Sequence, residues 1–241
     1  MRIDLHVHTS KSLCSNLTLE KIVKKAIEKG ISCVAICDHD VLFDECEISS
    51  VKERLEKELS IVINPEKRCQ NEFYIIPGIE ISTPSGHVLK LFFKKNKDFE
   101  ITILAHPFEH REYSVDFVKE DYDLIETASA RACYKRKSAN NDAKRLAESL
   151  GLLVSAGSDA HFEDEIGNAY IEISDDFEGL EGLGKCILYS KRITFNKNSK
   201  RVFIAKSQIL KNRRLKTMSI KTYIFYLYCA MRDFGDVICR K

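Results

Sequence analysis

Apolar and polar positions alternate in two different rhythms along the first 195 residues. Ile3, Leu5 and Val7 alternate with Asp4, His6 and His8, the period of a strand with two unlike faces. Thr18 then opens a helix in which Leu19, Ile22, Val23, Ala26 and Ile27 form one apolar stripe, and Gly30 supplies the stop. Residues 33–37 (CVAIC) read as a short buried strand, and Ile48, Val51, Leu55 and Leu59 as a second amphipathic helix. Further strands are expected at 73–76, 79–81, 88–93 and 101–105, with a weaker one at 123–127. Ala139, Ala143, Leu146, Ala147 and Leu150 mark a helix that Gly151 ends. Strands at 152–156 and 169–173, a helix near 180–188 and a strand at 192–195 complete this part. Strands alternating with helices favour a parallel sheet or barrel. No internal repeat is evident, and four prolines leave no Pro-rich linker.

Composition narrows the class. A chain of 241 residues with 44% hydrophobic and 31% charged positions suits a globular domain the size of one α/β barrel. It excludes wholesale disorder and low-complexity architectures. No run of about 18 apolar residues is present, so no transmembrane helix is expected. The opening MRIDLHVHT lacks a basic-then-apolar leader, which points to the cytoplasm. Nine cysteines, odd in number, irregularly spaced and without C-x-x-C, argue against a disulfide framework or a zinc ribbon. Most of them read as small buried hydrophobes.

Charge is uneven. Residues 201–241 carry ten Lys/Arg against two Asp/Glu, whereas residues 1–200 carry 28 against 34. The shift suggests a module boundary near Lys200, with a body at 1–200 and a basic extension at 201–241 that is expected to be helical.

The chemistry concentrates in seven histidines: His6, His8, His39, His87, His106, His110 and His161. Six of them fall at expected strand starts or ends, accompanied by Asp38, Glu80 and Asp159. In a parallel barrel the strand C-termini converge on one mouth. Imidazoles and carboxylates gathered there make a donor set for divalent transition metals, and burying so many ionisable groups without a cation would be costly.

Five segments, DLHVHT (4–9), ICDHD (36–40), GIEIS (78–82), LAHP (104–107) and GSDAH (157–161), occur in the order found in the polymerase and histidinol phosphatase (PHP) superfamily of metal-dependent phosphoesterases, which the chain resembles over residues 1 to about 195. The resemblance implies a distorted (β/α)7 TIM-like barrel with two or three divalent metal ions (Zn, Mn or Fe) at the strand C-termini. It implies that His6, His8, Glu80 and Asp159 hold the first metal. Glu80 then bridges to a second, completed by His87 and His106, and His39 and His161 hold a third. Where the family often places an acid or histidine shortly after H-x-H, this chain has Cys14. Cys14 either ligates as a thiolate or simply packs, leaving the third metal loosely held or absent. Asp38 is expected to orient a neighbouring ligand.

Such a centre suits hydrolysis of a phosphate ester by activated water, and needs no covalent nucleophile. GSDAH is not a G-x-S-x-G elbow, and no P-loop or dinucleotide fingerprint occurs. Arg131, in a stretch similar to the family's segment between its third and fourth motifs, is the expected phosphate-binding cation; Arg111 is a weaker candidate, and His110 reads as a surface residue or a proton donor. The expected substrate is a small phosphorylated metabolite or nucleotide. Alternatives are a nuclease or oligonucleotide phosphodiesterase using the basic tail, a non-catalytic scaffold, and a metal-dependent amide hydrolase. The tail itself reads as a helix packed on the barrel, as a nucleic-acid or anionic-membrane contact, or as a self-association helix.

Overall fold

The computed structural model describes residues 1–94, 97–110 and 116–238; Arg111 lies outside them. The elements follow the expected rhythm. β1 (Arg2–Val7) leads to α1 (Leu19–Glu28), which is capped by the Thr18 side chain, then to β2 (Cys33–Ile36) and α2 (Glu45–Leu59). Asp44 and Glu47 close a capping box at the start of α2. A two-residue β3 (Val62–Ile63) precedes β4 (Glu72–Thr83), β5 (Gly86–Phe92), β6 (Glu100–Ala105) and β7 (Leu124–Ser129). The chain continues through α3 (Ala139–Leu150), β8 (Leu153–Gly157), β9 (Ala169–Glu172), α4 (Gly179–Tyr189) and β10 (Ile193–Asn196). It ends in α5 (Arg201–Arg214) and α6 (Ile220–Ile238).

The strands order as β10-β9-β1-β2-β4-β5-β6-β7-β8, with β3 on the flank of β4. The two ends of the seven-strand arc from β1 to β8 approach each other through a bridge between Val7 and Ala160. The His8 N–H donates to the Ala160 carbonyl at 3.0 Å across that seam. Asp4 reinforces it, accepting from the Ser158 N–H at 2.8 Å and the Gly167 N–H at 2.9 Å. Burial outweighs these bonds and pushes the Asp4 carboxyl up to about 6. The result is a nearly closed, barrel-like sheet.

The sheet departs from a regular (β/α)7 alternation in a way that matters for the site. β4, β5 and β6 form an antiparallel meander without intervening helices, and β9 runs antiparallel beside β1 with β10 antiparallel on its far side. The two strands expected at 73–76 and 79–81 are one continuous β4. Its first half pairs in parallel with β2 and its second half antiparallel with β5. Pro77-Gly78 marks the exchange of neighbours, where a missing N–H is tolerated. Gly78 is required there: a Cβ would meet the Lys90 and Ile36 carbonyl oxygens at 2.9 and 3.0 Å.

Apolar side chains from the inner faces, including Leu5, Ile76, Leu91, Ile103 and Leu124, pack with Leu183 and Ile187 of α4 into one core. Two outer layers lie under α1 and α2 and under α3. The eight described cysteines are all unpaired. Among the described residues no helix is long and apolar enough to cross a membrane.

Candidate metal centre

Every strand of the arc contributes to one mouth. His6 stands in β1 and His8 just after it; Asp38 and His39 follow β2; Glu80 lies in β4; His106 follows β6; Asp159 and His161 follow β8. His87 comes from the beginning of β5, because an antiparallel strand starts where its neighbours end. Asp40, His106 and Asp159 have positive φ (52°, 26° and 52°), so the turns that deliver these residues are strained.

Glu80 is the hub. It is fully buried, and its carboxylate lies within 3.6 Å of five imidazoles: His6, His8, His39, His87 and His106. His6, His8 and Glu80 form one tight donor group, to which Asp159 adds an oxygen 3.0 Å from His8 Nε2. Glu80, His87 and His106 form a second group, and His8, His39 and His161 a third. Cys14 Sγ sits 3.1 Å from His161 Nε2. The structure thus brings together all nine residues expected as ligands.

The hydrogen bonds show which atom each ring offers. His6 Nδ1 meets the Glu126 carboxylate at 3.1 Å, and His161 Nδ1 meets the Asp159 carbonyl at 2.8 Å; neither oxygen can donate, so both nitrogens carry their proton. His8 Nδ1 lies 3.2 Å from Ser12 Oγ, whose own proton goes to Asp38 Oδ1 at 2.6 Å, so this nitrogen donates as well. In each ring Nε2 is left to face the cluster, and the Nε2 atoms of His6 and His8 are only 3.1 Å apart. Glu80 Oε2 and His87 Nδ1 are buried without a hydrogen bond, although Oε2 is 2.6 Å from His39 Nδ1 and His87 Nδ1 is 2.8 Å from Glu80 Oε1. Atoms this close yet not aligned for hydrogen bonding are aimed at a shared centre. The donor set and its orientation fit divalent cations.

Asp38 does not join the donor groups. It accepts from the N–H and hydroxyl groups of both Thr9 and Ser12, and so fixes the loop that bears Ser12 and, through it, His8. Arg131 is buried against the mouth, with Nε and Nη2 on the Glu165 carboxylate (2.8 and 3.1 Å) and Nη2 also on Ser207 Oγ of α5 (2.8 Å). His110 is exposed at the rim beside Lys135 and Glu109. Glu126, Ser12, Glu165 and Ser207 were not anticipated. Glu126 left a trace in the sequence, an acid inside the apolar run of β7; the other three left none.

Charge organises the cluster before any cation arrives. Burial opposes a proton on His106, yet the Glu80 carboxylate outweighs it and holds the imidazole up at about 9. Burial likewise opposes protonation of His39, but Cys14 and Glu80 raise it to about 11. Burial and the positive His39 lower His8 to about 4, and burial with the Arg131 charge pushes His161 well down. Burial opposes a proton on His6 too, but the Glu126 and Glu80 carboxylates hold it well above the ordinary range, so two rings arrive neutral while three carry protons that a metal must displace. We expect metal binding at pH 7 to release protons, and affinity to rise with pH as His106 loses its proton near 9 and His39 near 11. Calorimetry in buffers of differing ionisation enthalpy checks this, and zero net release would contradict it.

A nearly closed barrel with several buried histidines and carboxylates at one mouth defines the class: a metal-dependent hydrolase scaffold. The chain matches the PHP-associated family model over residues 137–186. It is 29% identical over 197 residues to an uncharacterized protein of Methanocaldococcus jannaschii, covering 73% of this chain and 71% of that one. It is 24% identical over 202 residues to a probable phosphatase of Caldicellulosiruptor saccharolyticus, covering 69% and 82%. Its fold is like that of PsfC from Pseudomonas syringae PB-5123, with a TM-score of 0.54 at 14% identity over 88% of this chain and 98% of that one. Together with the five motifs in order, these matches make the chain similar to the PHP superfamily.

Proposed function

We propose that the protein hydrolyses the phosphomonoester of a small metabolite or nucleotide. The observation that carries this reading is the cluster of histidines and carboxylates lining a cavity of about 740 Å³, lined also by Arg131, Lys11, Lys135 and Lys211. That volume lies in the range of small-molecule sites. Ile204, Ser207, Gln208 and Lys211 of α5 and Phe225 of α6 form part of its wall, which narrows the approach for a polymer.

His6, His8, Glu80 and Asp159 would hold one divalent ion, Glu80, His87 and His106 a second, and His39, His161 and Cys14 a third. Such ions supply a lowered pKa for water and charge neutralisation at phosphorus and the leaving oxygen. The protein's own groups do the rest. Glu126 and Ser12 fix the ring orientations of His6 and His8. Glu165 and Ser207 hold the Arg131 guanidinium, whose Nη1 has no partner among the described residues and is offered to a phosphoryl oxygen. The lysines at the rim draw an anionic substrate toward the mouth.

Elemental analysis combined with hydrolysis of p-nitrophenyl phosphate and bis-p-nitrophenyl phosphate tests the proposal. Two or more metals per chain are expected, with the monoester cleaved faster. Chelation should cost at least ~100-fold in rate, restored by added metal. Folded protein with neither metal nor hydrolysis overturns the reading, and a preference for the diester would replace it with the nuclease.

A further inference from the structure

Cys14 lies on the loop between β1 and α1, whose own backbone bonds are three: Ser10 N–H to the Leu17 carbonyl, Ser12 N–H to Thr9 and Ser15 N–H to Ser12. The inner side of that loop is tied down. Asp38 holds Thr9 and Ser12, and the Ser15 hydroxyl donates to the carbonyls of His8 and His161 at 3.0 and 3.1 Å. Its outer side is tied to α2 by Lys11 on the Glu47 carboxylate at 2.6 Å, and is tied a second time from the C-terminal part of the chain. Arg214 Nη1 gathers the carbonyl oxygens of Ser10, Ser12 and Ser15 at 3.4, 2.9 and 2.9 Å. Cys14 sits inside the turn so clasped, buried, with Sγ against His161 Nε2.

Arg214 closes α5, and the same helix is anchored earlier by the bond between Ser207 and Arg131. Seven residues of helix, about 10 Å of rise, separate the two anchors. One helix outside the five motifs thus touches both the expected phosphate-binding arginine and the loop that carries the cysteine. Three carbonyls converging on one cation resemble the end of a helix, where positive charge is stabilising. Without the guanidinium they would turn to water, and the turn could open away from His161.

We infer that Arg214 is a positioning residue for the third metal position, holding Cys14 in reach of His161 and His39 from the end of α5. The inference rests on the metal-binding reading above and deepens it: the basic extension serves the centre directly. Its positive charge at this point stabilises the loop that supplies the thiol.

The test uses the full chain with Arg214→Ala, and Arg214→Gln as a second variant that keeps bulk and polarity. Metal content per chain is measured by mass spectrometry, and Cys14 alkylation by peptide mapping of chelator-stripped protein. Both variants should retain the fold, lose one metal per chain and keep the others. Cys14 should alkylate about tenfold faster, equivalent to ~1.4 kcal/mol of lost protection. Cys14→Ser should lose the same metal, and the double variant should lose no more. Full metal content together with wild-type Cys14 protection in the Arg214 variants would overturn the inference. Wild-type protein that binds metal but cleaves no phosphate ester would overturn the proposed function and leave this test intact, since neither readout is turnover.

Discussion

Glu80→Gln should strip the centre of metal and reduce hydrolysis on the order of a thousandfold or more. Among the described residues its carboxylate belongs to both the His6/His8 group and the His87/His106 group, and it is fully buried. Burial raises the cost of its charge, but the His6 charge and the His106 bond hold its carboxyl well below the usual range, so it is ionised and stays so. An amide has the same shape and no charge. It removes the anion common to the two donor groups while leaving the packing of β4 against β5 unchanged, so the fold should survive. Losing charge stabilisation of several kcal/mol at a metal site corresponds to a rate loss of about 10³. Metal analysis and p-nitrophenyl phosphate hydrolysis of the purified variant check the expectation. Wild-type metal content in this variant would show that Glu80 is not the bridge.

Gly157→Ala should have the largest effect on stability of any single methyl addition near the site. Gly157 ends β8, where the sheet closes on β1. A Cβ there would land directly on His6 Cβ, with Glu126 Oε1 at 2.7 Å and the His6 backbone nitrogen at 2.9 Å. None of these can yield cheaply. His6 is backbone-fixed in β1, and Glu126 is held by its bonds to His6 Nδ1 and to the His106 N–H. Overpacking of this kind costs about 3 kcal/mol. In a domain of this size that lowers Tm by roughly 6–12 °C. The same displacement would move His6 and weaken metal binding, so melting curves with and without metal should draw together. A Tm within about 2 °C of wild type would mean that β8 and β1 do not approach this closely.

Much of this architecture was legible before the structure. Helix α1 starts after Thr18 and α3 ends at Gly151, because capping and left-handed glycine are local rules. The buried strands β2 and β8 are close to the expected positions, since apolar runs between turns need no long-range information. The misreading at Pro77-Gly78 has a specific cause. Proline and glycine ordinarily interrupt a strand, but here they fall where β4 changes partners and its ladder has no use for the missing donor. His87 was harder to place for the same reason: only the antiparallel pairing of β5 explains why the beginning of a strand reaches the mouth.

The sequence alone determined which donor types are present, their order, and that they collect near strand ends, because hydrophobic period and turn chemistry are encoded within a few residues of each motif. Tertiary structure decided what those donors touch. Glu126 orients His6 from 120 residues away, His161 meets Cys14 from 147, and Arg214 clasps Ser12 from 202. Local patterning says which face of an element is buried; it does not say which elements become neighbours. That choice is made by strand pairing and by the closure of the sheet. Only after closure does α5, outside all five motifs, come to lie against Arg131 and the loop that carries Cys14.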